Sequence, residues 1–344
     1  MRYISLFAGI GGFDLALNRL GHECVYANEW DKYAAQIYNK NFKLDELQGK
    51  QVQTLRDGGS VRNATGQTSA YGCIDTRDIT TVPTSEIPDH ELLVGGFPCQ
   101  AFSVAGKRRG FDDTRGTLFF EIARILKDKQ PKLFILENVK GLLSHDNGNT
   151  FKVIISTLTE LGYDLQWQVV NSKNFGVPQN RERVFIVGHL RGERRPEVFP
   201  IREGYTGDNE IKLHGEEATR PCRNCKNIEG RRRCAMPMRW VRTEKGKEYR
   251  KEAMKHGKDL TPFNEGYREL VESKEDVTGC LTSALQKDAL LQQNHRIRRL
   301  TPIECERLQG FPDGWTEGIS DTQRYKCLGN AVTVNVVYEI AKRL

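Results

Sequence analysis

Five short apolar runs, interleaved with stretches whose apolar residues recur at helical spacing, constrain this 344-residue chain more than any other feature. Tyr3 to Phe7, Cys24 to Ala27, Glu91 to Val94, Lys132 to Leu136 and Arg183 to Val187 read as buried strands. Phe13 to Leu20, Lys32 to Asn39, Thr117 to Lys127 and Thr150 to Leu161 read as the helices between them. Runs too short for a helix but predominantly apolar suit strands covered on both faces. Strand and helix in alternation define an α/β class, a doubly wound sheet.

Two segments break the alternation. Lys43 to Gly72 is rich in Gln, Gly, Thr and Ser and reads as an inserted loop. From about Arg191 to Gln293 periodicity weakens while Arg, Gly and Pro punctuation increases, which suggests a second, smaller domain. Regularity returns at Thr301 to Gln309, a helix with Thr301 as cap and Pro302 at its first position. Ala331 to Leu344 is read as a last amphipathic helix. The expected organisation is a first domain over 1–190 with 43–72 inserted, a second over 191–317, and a return to the first over 318–344.

Charge supports a separate role for the second region. Arg191 to Lys258 holds 19 Lys and Arg against 11 Asp and Glu, a surplus larger than the +7 of the whole chain. A polyanion such as nucleic acid would explain that concentration through counterion release, although a solvated surface can also be basic. No apolar run approaches the roughly 18 residues of a membrane span, and the start of the chain lacks the pattern of a secretory leader. Nine cysteines, an odd number scattered through apolar sequence, argue for a reducing cytoplasm rather than a disulfide framework.

The chemistry-bearing motifs fall at strand ends. Leu6-Phe7-Ala8-Gly9-Ile10-Gly11-Gly12-Phe13 closes one strand and opens a helix, where glycines allow a ligand to approach the backbone. A dinucleotide fingerprint would want glycine at position 14, which is Asp14. Glu29 follows the second strand, where a carboxylate can accept from ribose hydroxyls. Either a nicotinamide dinucleotide or S-adenosylmethionine satisfies both features. Gly95-Gly96-Phe97-Pro98-Cys99-Gln100-Ala101-Phe102-Ser103 sets a cysteine at the carboxyl end of a strand. Phe134-Ile135-Leu136-Glu137-Asn138-Val139 sets a carboxylate at the end of another, so the two could meet across one crevice.

These segments, together with Arg115-Gly116-Thr117-Leu118-Phe119-Phe120, Gln179-Asn180-Arg181-Glu182-Arg183, Arg299-Leu300-Thr301-Pro302 through Gly310-Phe311-Pro312, and Gly329-Asn330-Ala331-Val332, resemble the ordered motifs of the cytosine C5 DNA methyltransferases. The resemblance implies a Rossmann-like S-adenosylmethionine-dependent methyltransferase fold with a target-recognition domain. It further implies that Cys99 adds to C6 of a flipped-out cytosine, that Glu137 protonates the ring, and that Arg183 holds O2 with Arg181 in the same motif. Around the cofactor it places Phe7, Gly9, Gly11, Glu29, Pro98, Asn330 and Val332. Asp78 is matched to the adenine amine, with Asp75 as its rival.

For double-stranded DNA the resemblance implies a mobile loop after Cys99, with Gln100, Ser103, Lys107, Arg108 and Arg115 facing the duplex. In the basic region, Arg231, Arg232, Arg233, Arg239 and Arg242 are candidates for base or phosphate contacts. Cys222, Cys225 and Cys234 carry a spacing that suits a zinc knuckle, with His214, His256 or Cys280 as a fourth ligand. The resemblance requires no zinc, and without a clear fourth partner the balance favours reduced thiols. The implied setting is a bacterial or phage restriction-modification system, with a monomeric cytoplasmic enzyme paired with a cognate endonuclease. A tRNA-directed branch is the competing reading; the long basic region and Phe97 before Pro98-Cys99 favour DNA. Amino-group methylation would need an Asp/Asn/Ser-Pro-Pro-aromatic motif, which is absent.

Overall fold

Strands that are apolar on both faces are expected to be covered on both, and this is what the computed structural model shows. It describes residues 1–42, 74–98, 118–193, 196–201 and 299–344, and the backbone of 236–242, 268–272, 290–293 and 296–298. The 43–72 segment lies outside them. The first six strands are β1 (Arg2–Leu6), β2 (Glu23–Asn28), β3 (Leu92–Gly96), β4 (Leu133–Val139), β5 (Tyr163–Asn171) and β6 (Glu182–Leu190). They form one sheet in the order β2-β1-β3-β4-β6-β5. β1 to β4 run parallel, and β6 is antiparallel to both β4 and β5.

Alternate residues serve two cores. Tyr3, Leu92, Val94, Leu133, Ile135, Phe185 and Val187 face one. Ile4, Leu6, Leu93, Phe134, Leu136, Val184 and Ile186 face the other. The first is covered by α1 (Gly12–Arg19), α2 (Lys32–Asn41) and three helices from the end of the chain, α5 (Pro302–Gln309), α6 (Asp321–Asn330) and α7 (Val334–Ala341). The second is covered by α3 (Leu118–Lys129) and α4 (Asn149–Glu160). The expected doubly wound class is thus the observed one.

Four more strands, β7 (Met236–Arg242), β8 (Arg268–Glu272), β9 (Leu290–Gln293) and β10 (Arg296–Arg299), form a separate antiparallel sheet in the order β10-β9-β7-β8. They occupy the stretch in which the sequence shows no clear periodicity.

Three features differ from the sequence reading. β5 was not foreseen: it is an edge strand, and its Gln166 and Gln168 side chains hydrogen-bond the backbone of residues 196–201. The single expected helix from Ala331 is preceded by α6, and the two are separated at Ala331–Thr333. Finally, Val198, Ile201, Leu300, Cys305, Leu308, Phe311 and Trp315 belong to the same core as Tyr3 and Phe13, so a boundary at 317 would cut through continuous packing. The capping of α5 agrees with expectation, with Thr301 and Glu304 forming a reciprocal capping box behind Pro302. No helix among the described residues is long and apolar enough to cross a membrane.

Candidate active site

Between β1 and β3 the winding of the sheet reverses, and a crevice opens there beyond the carboxyl ends of the strands. Its floor is the glycine loop. Phe7, Gly9 and Gly11 all have left-handed backbones, with φ of 54°, 58° and 84°. A side chain at Gly11 is excluded twice over, by that φ and by the Phe42 ring, whose Cε2 occupies the space a Cβ would need. Phe7 adopts the same region without being glycine, a strain of the kind that gathers at functional sites.

Glu29 ties the loop to the end of β2. Its carboxylate accepts from Gly9 N at 2.9 Å and Asp31 N at 2.7 Å. Burial pushes its pKa up, while those backbone donors pull it down. Beside it Trp30 is 72 % exposed, anomalous for so large an apolar side chain. Asp31 caps α2 through Tyr33 N and Ala34 N and forms an ion pair with Lys326 on α6 at 2.7 Å.

The catalytic candidates sit on the neighbouring strand ends. Gly96 on β3 is the register partner of Glu137 on β4. A Cβ at Gly96 would lie 3.0 Å from Glu137 Oε2, so the glycine leaves room for the carboxylate. Glu137 Oε1 meets Arg183 Nε of β6 at 3.0 Å, both side chains being mostly buried. Burial raises the Glu137 pKa, opposed by the positive charges of Arg183 and Arg181. Asn138 is buried and donates from Nδ2 to the Phe97 carbonyl at 2.8 Å. The strand end carrying Glu137 is thereby fastened to the residues that lead into Cys99.

Arg181 is 1 % exposed. Its Nη2 donates to the carbonyls of Gly329 at 3.1 Å and Ala331 at 2.7 Å, holding the break between α6 and α7 against the catalytic strands. Arg181→Met is expected to leave both acceptors without this donor and to destabilise the protein by about 3 kcal/mol. A chemical-denaturation midpoint unchanged from wild type would refute that role.

These groups line one cleft of about 460 Å³, which brings together Phe7, Gly9, Glu29, Trp30, Pro98, Glu137, Arg181, Arg183, Lys326 and Asn330. Of the expected cofactor residues, Val332 packs behind the loop, its Cγ1 lying 2.7 Å from where a Gly12 Cβ would be. Asp78 is exposed and caps a 3-10 turn through Thr80 N, and it is not among the lining residues. Its rival Asp75 is engaged by Tyr26 and Arg77. Trp30, Asn138 and Lys326 were not foreseen; an exposed tryptophan directly after the expected ribose carboxylate is the signal that could have identified the first.

Cys99, Gln100, Ser103, Lys107, Arg108 and Arg115 lie outside the described residues, as do Arg231, Arg232, Arg233, Cys222, Cys225 and Cys234. Arg239 and Arg242 fall on β7, where only the backbone is described.

A doubly wound sheet with this cleft at its reversal point defines a Rossmann-like methyltransferase fold. It matches the crystal structure of the Dnmt2 methyltransferase of S. pombe with a TM-score of 0.61, at 19 % identity over 99 % of this chain and 97 % of that one. Residues 1–62 and 69–344 match the C-5 cytosine-specific DNA methylase family, and the chain belongs to it. It is 39 % identical over its whole length to the Type II methyltransferase M1.ScrFI of Lactococcus lactis subsp. cremoris, covering 77 % of that protein. With M.HhaI of Haemophilus parahaemolyticus the identity is 35 %, over 99 % of this chain and 93 % of the relative. The protein is therefore a DNA (cytosine-5-)-methyltransferase, and membership implies the use of S-adenosylmethionine.

Proposed function

We propose that the enzyme flips a cytosine out of a short specific sequence in duplex DNA and methylates C5 through a covalent adduct with Cys99. The observation that carries this reading is the Glu137–Arg183 pair at 3.0 Å, set in the same cleft as the glycine loop and as Pro98, whose next residue is Cys99.

The chemistry requires these groups together. C5 of cytosine is a poor nucleophile until aromaticity is broken. The Cys99 thiolate forms a bond to C6, the displaced ring electrons reach N3, and Glu137 supplies the proton there. Arg183 is assigned to O2 of the base, and its pairing with Glu137 orients both. S-adenosylmethionine supplies, when bound, the electrophilic methyl group. C5, made enamine-like by the adduct, would take that methyl as S-adenosylhomocysteine departs; loss of the C5 proton then expels Cys99, and return of the N3 proton to Glu137 restores the ring. Base extrusion costs roughly a few kcal/mol, met by contacts in the cleft.

The cleft suits the cofactor on its own evidence. Glu29 places a carboxylate beside Gly9, which is half-buried and lines the cleft, and the Trp30 indole is uncovered at the rim. Phe7, Gly9 and Gly11 are assigned to the cofactor's methionine and adenine parts, Glu29 to its ribose, and Pro98 and Asn330 to the remaining walls, with Val332 closing the pocket from behind the loop. Asp78 is kept as the partner of the adenine amine, in line with the family motif. Trp30→Ala is expected to weaken S-adenosylmethionine binding about tenfold, the loss of one aromatic contact to a cationic ligand. Calorimetry showing wild-type affinity would remove Trp30 from the site.

Residues 202–299 are assigned to target recognition, with Arg231, Arg232, Arg233, Arg239 and Arg242 toward the duplex and Gln100, Ser103, Lys107, Arg108 and Arg115 closing on it from the loop after Cys99. The reading includes a monomer acting in the bacterial cytoplasm beside a cognate endonuclease, a setting in line with the Type II relatives. Bisulfite sequencing of mixed-sequence duplex DNA after incubation with the enzyme tests the proposal: marks confined to one short motif support it, and unmarked DNA overturns it.

A further inference from the structure

Glu306 is a carboxylate with no solvent exposure that touches no part of the cleft. Burying such a group is costly unless every lone pair finds a donor. Here the donors are Gly314 N at 2.7 Å, Thr316 N at 2.8 Å, the Thr316 hydroxyl, and Arg324 Nη2 at 3.1 Å. Apart from Arg324, all belong to the turn that follows α5. From α2, Asn41 Nδ2 donates to the Trp315 carbonyl at 2.9 Å and Lys40 Nζ to the Glu317 carbonyl at 2.9 Å. Trp315 of that turn packs between Phe42 and Phe311. Its Nε1–H donates to the carbonyl of Ile10, inside the glycine loop, at 2.9 Å.

From this arrangement we infer that Trp315, held in place by Glu306, is a positioning residue for the glycine loop and thereby sets the affinity for S-adenosylmethionine. The loop needs such a hold. Gly9 and Gly11 flank Ile10 with left-handed backbones, and glycine has little intrinsic preference for that conformation. Gly9 is fixed from one side by Glu29, and Gly11 N donates to Ala8 within the loop. The bond from Trp315 reaches Ile10 from the far end of the sequence. It turns the Ile10 carbonyl toward the protein, while Ile10 itself lines the cleft. The inference rests on the reading of the loop as the cofactor site, and adds to it a residue that does not touch the cofactor.

Trp315→Phe removes the N–H and keeps an aromatic ring between Phe42 and Phe311. Titration of the full-length protein with S-adenosylmethionine in a calorimeter is expected to show Kd raised about fivefold, the loss of one buried hydrogen bond. KM for the cofactor should rise in step, with kcat at saturating cofactor and KM for DNA unchanged. Phe311→Leu loosens the packing of the same indole but leaves its N–H, and should lower the melting temperature while raising Kd less than Trp315→Phe does. Thr316→Val, which takes one donor from Glu306 and spares Trp315, should raise Kd about two- to threefold, and it carries the test if Trp315→Phe does not fold. Affinity within experimental error of wild type in the folded Trp315→Phe protein, or in Thr316→Val where that protein does not fold, overturns the inference, as does a Phe311→Leu protein whose Kd rises as much. Failure of the wild-type protein to bind S-adenosylmethionine would instead overturn the cofactor site itself.

Discussion

Cys99→Ser is expected to lower methyl transfer by at least about 10⁴-fold, because a serine hydroxyl is barely ionised where a thiol is an effective nucleophile. S-adenosylmethionine binding should persist, since the glycine loop, Glu29 and Trp30 lie on other elements. A duplex with 5-fluorocytosine at the target position adds a second reading of the same step. Methyl transfer to C5 would leave fluorine where a proton normally departs, so Cys99 could not be expelled, and wild-type protein should form a denaturant-resistant complex with the DNA. The serine variant should form none. Wild-type rates in the variant would show that another residue carries the covalent step.

Glu137→Gln is expected to cost about 10²- to 10⁴-fold in kcat, the usual range for a positioned proton donor. The direction of its pKa shift makes a sharper prediction. Burial holds the carboxyl above its ordinary range, partly offset by Arg183 and Arg181. A donor must be protonated to act, so Glu137 contributes a limb along which the wild-type rate falls as pH rises through its pKa. Because the pKa is raised, that fall comes at higher pH than an ordinary glutamate would give. Glutamine does not titrate, so the limb should vanish from the variant's profile. A limb that survives in Glu137→Gln would belong to another group.

The legible parts of the molecule are those in which local chemistry and tertiary role coincide. β1, β3 and β4 are apolar on both faces because both faces are buried, so they show as runs in the sequence. The glycine loop, Glu29 and Glu137 could be read because each stands where a strand ends. β5 was hidden because its Gln166 and Gln168 serve as hydrogen-bond partners for residues 196–201, which breaks the run of apolar residues. α6 carries Arg324 for Glu306, Lys326 for the distant Asp31 and Asn330 for the cleft, so it lacks an apolar stripe strong enough to announce a helix. Arg181 reads as one more basic residue of a motif. That it is buried follows from carbonyls about 150 positions later, which no local pattern encodes.

The packing of α7 on α1 bears on how the protein is made. Phe13 and Leu17 of α1 share a core with Val337 and Ile340 of α7, and the cleft draws its far wall from residues 326–331. At the pace of synthesis, the ribosome needs roughly 20–70 s to reach those residues after the first strands emerge. Throughout that interval the nascent chain carries a hydrophobic face without its cover and a nucleotide pocket lacking one side. Translation thus acts as a timer: the capacity to mark DNA begins only once the final helix docks, and a truncated product would be both inert and prone to aggregate.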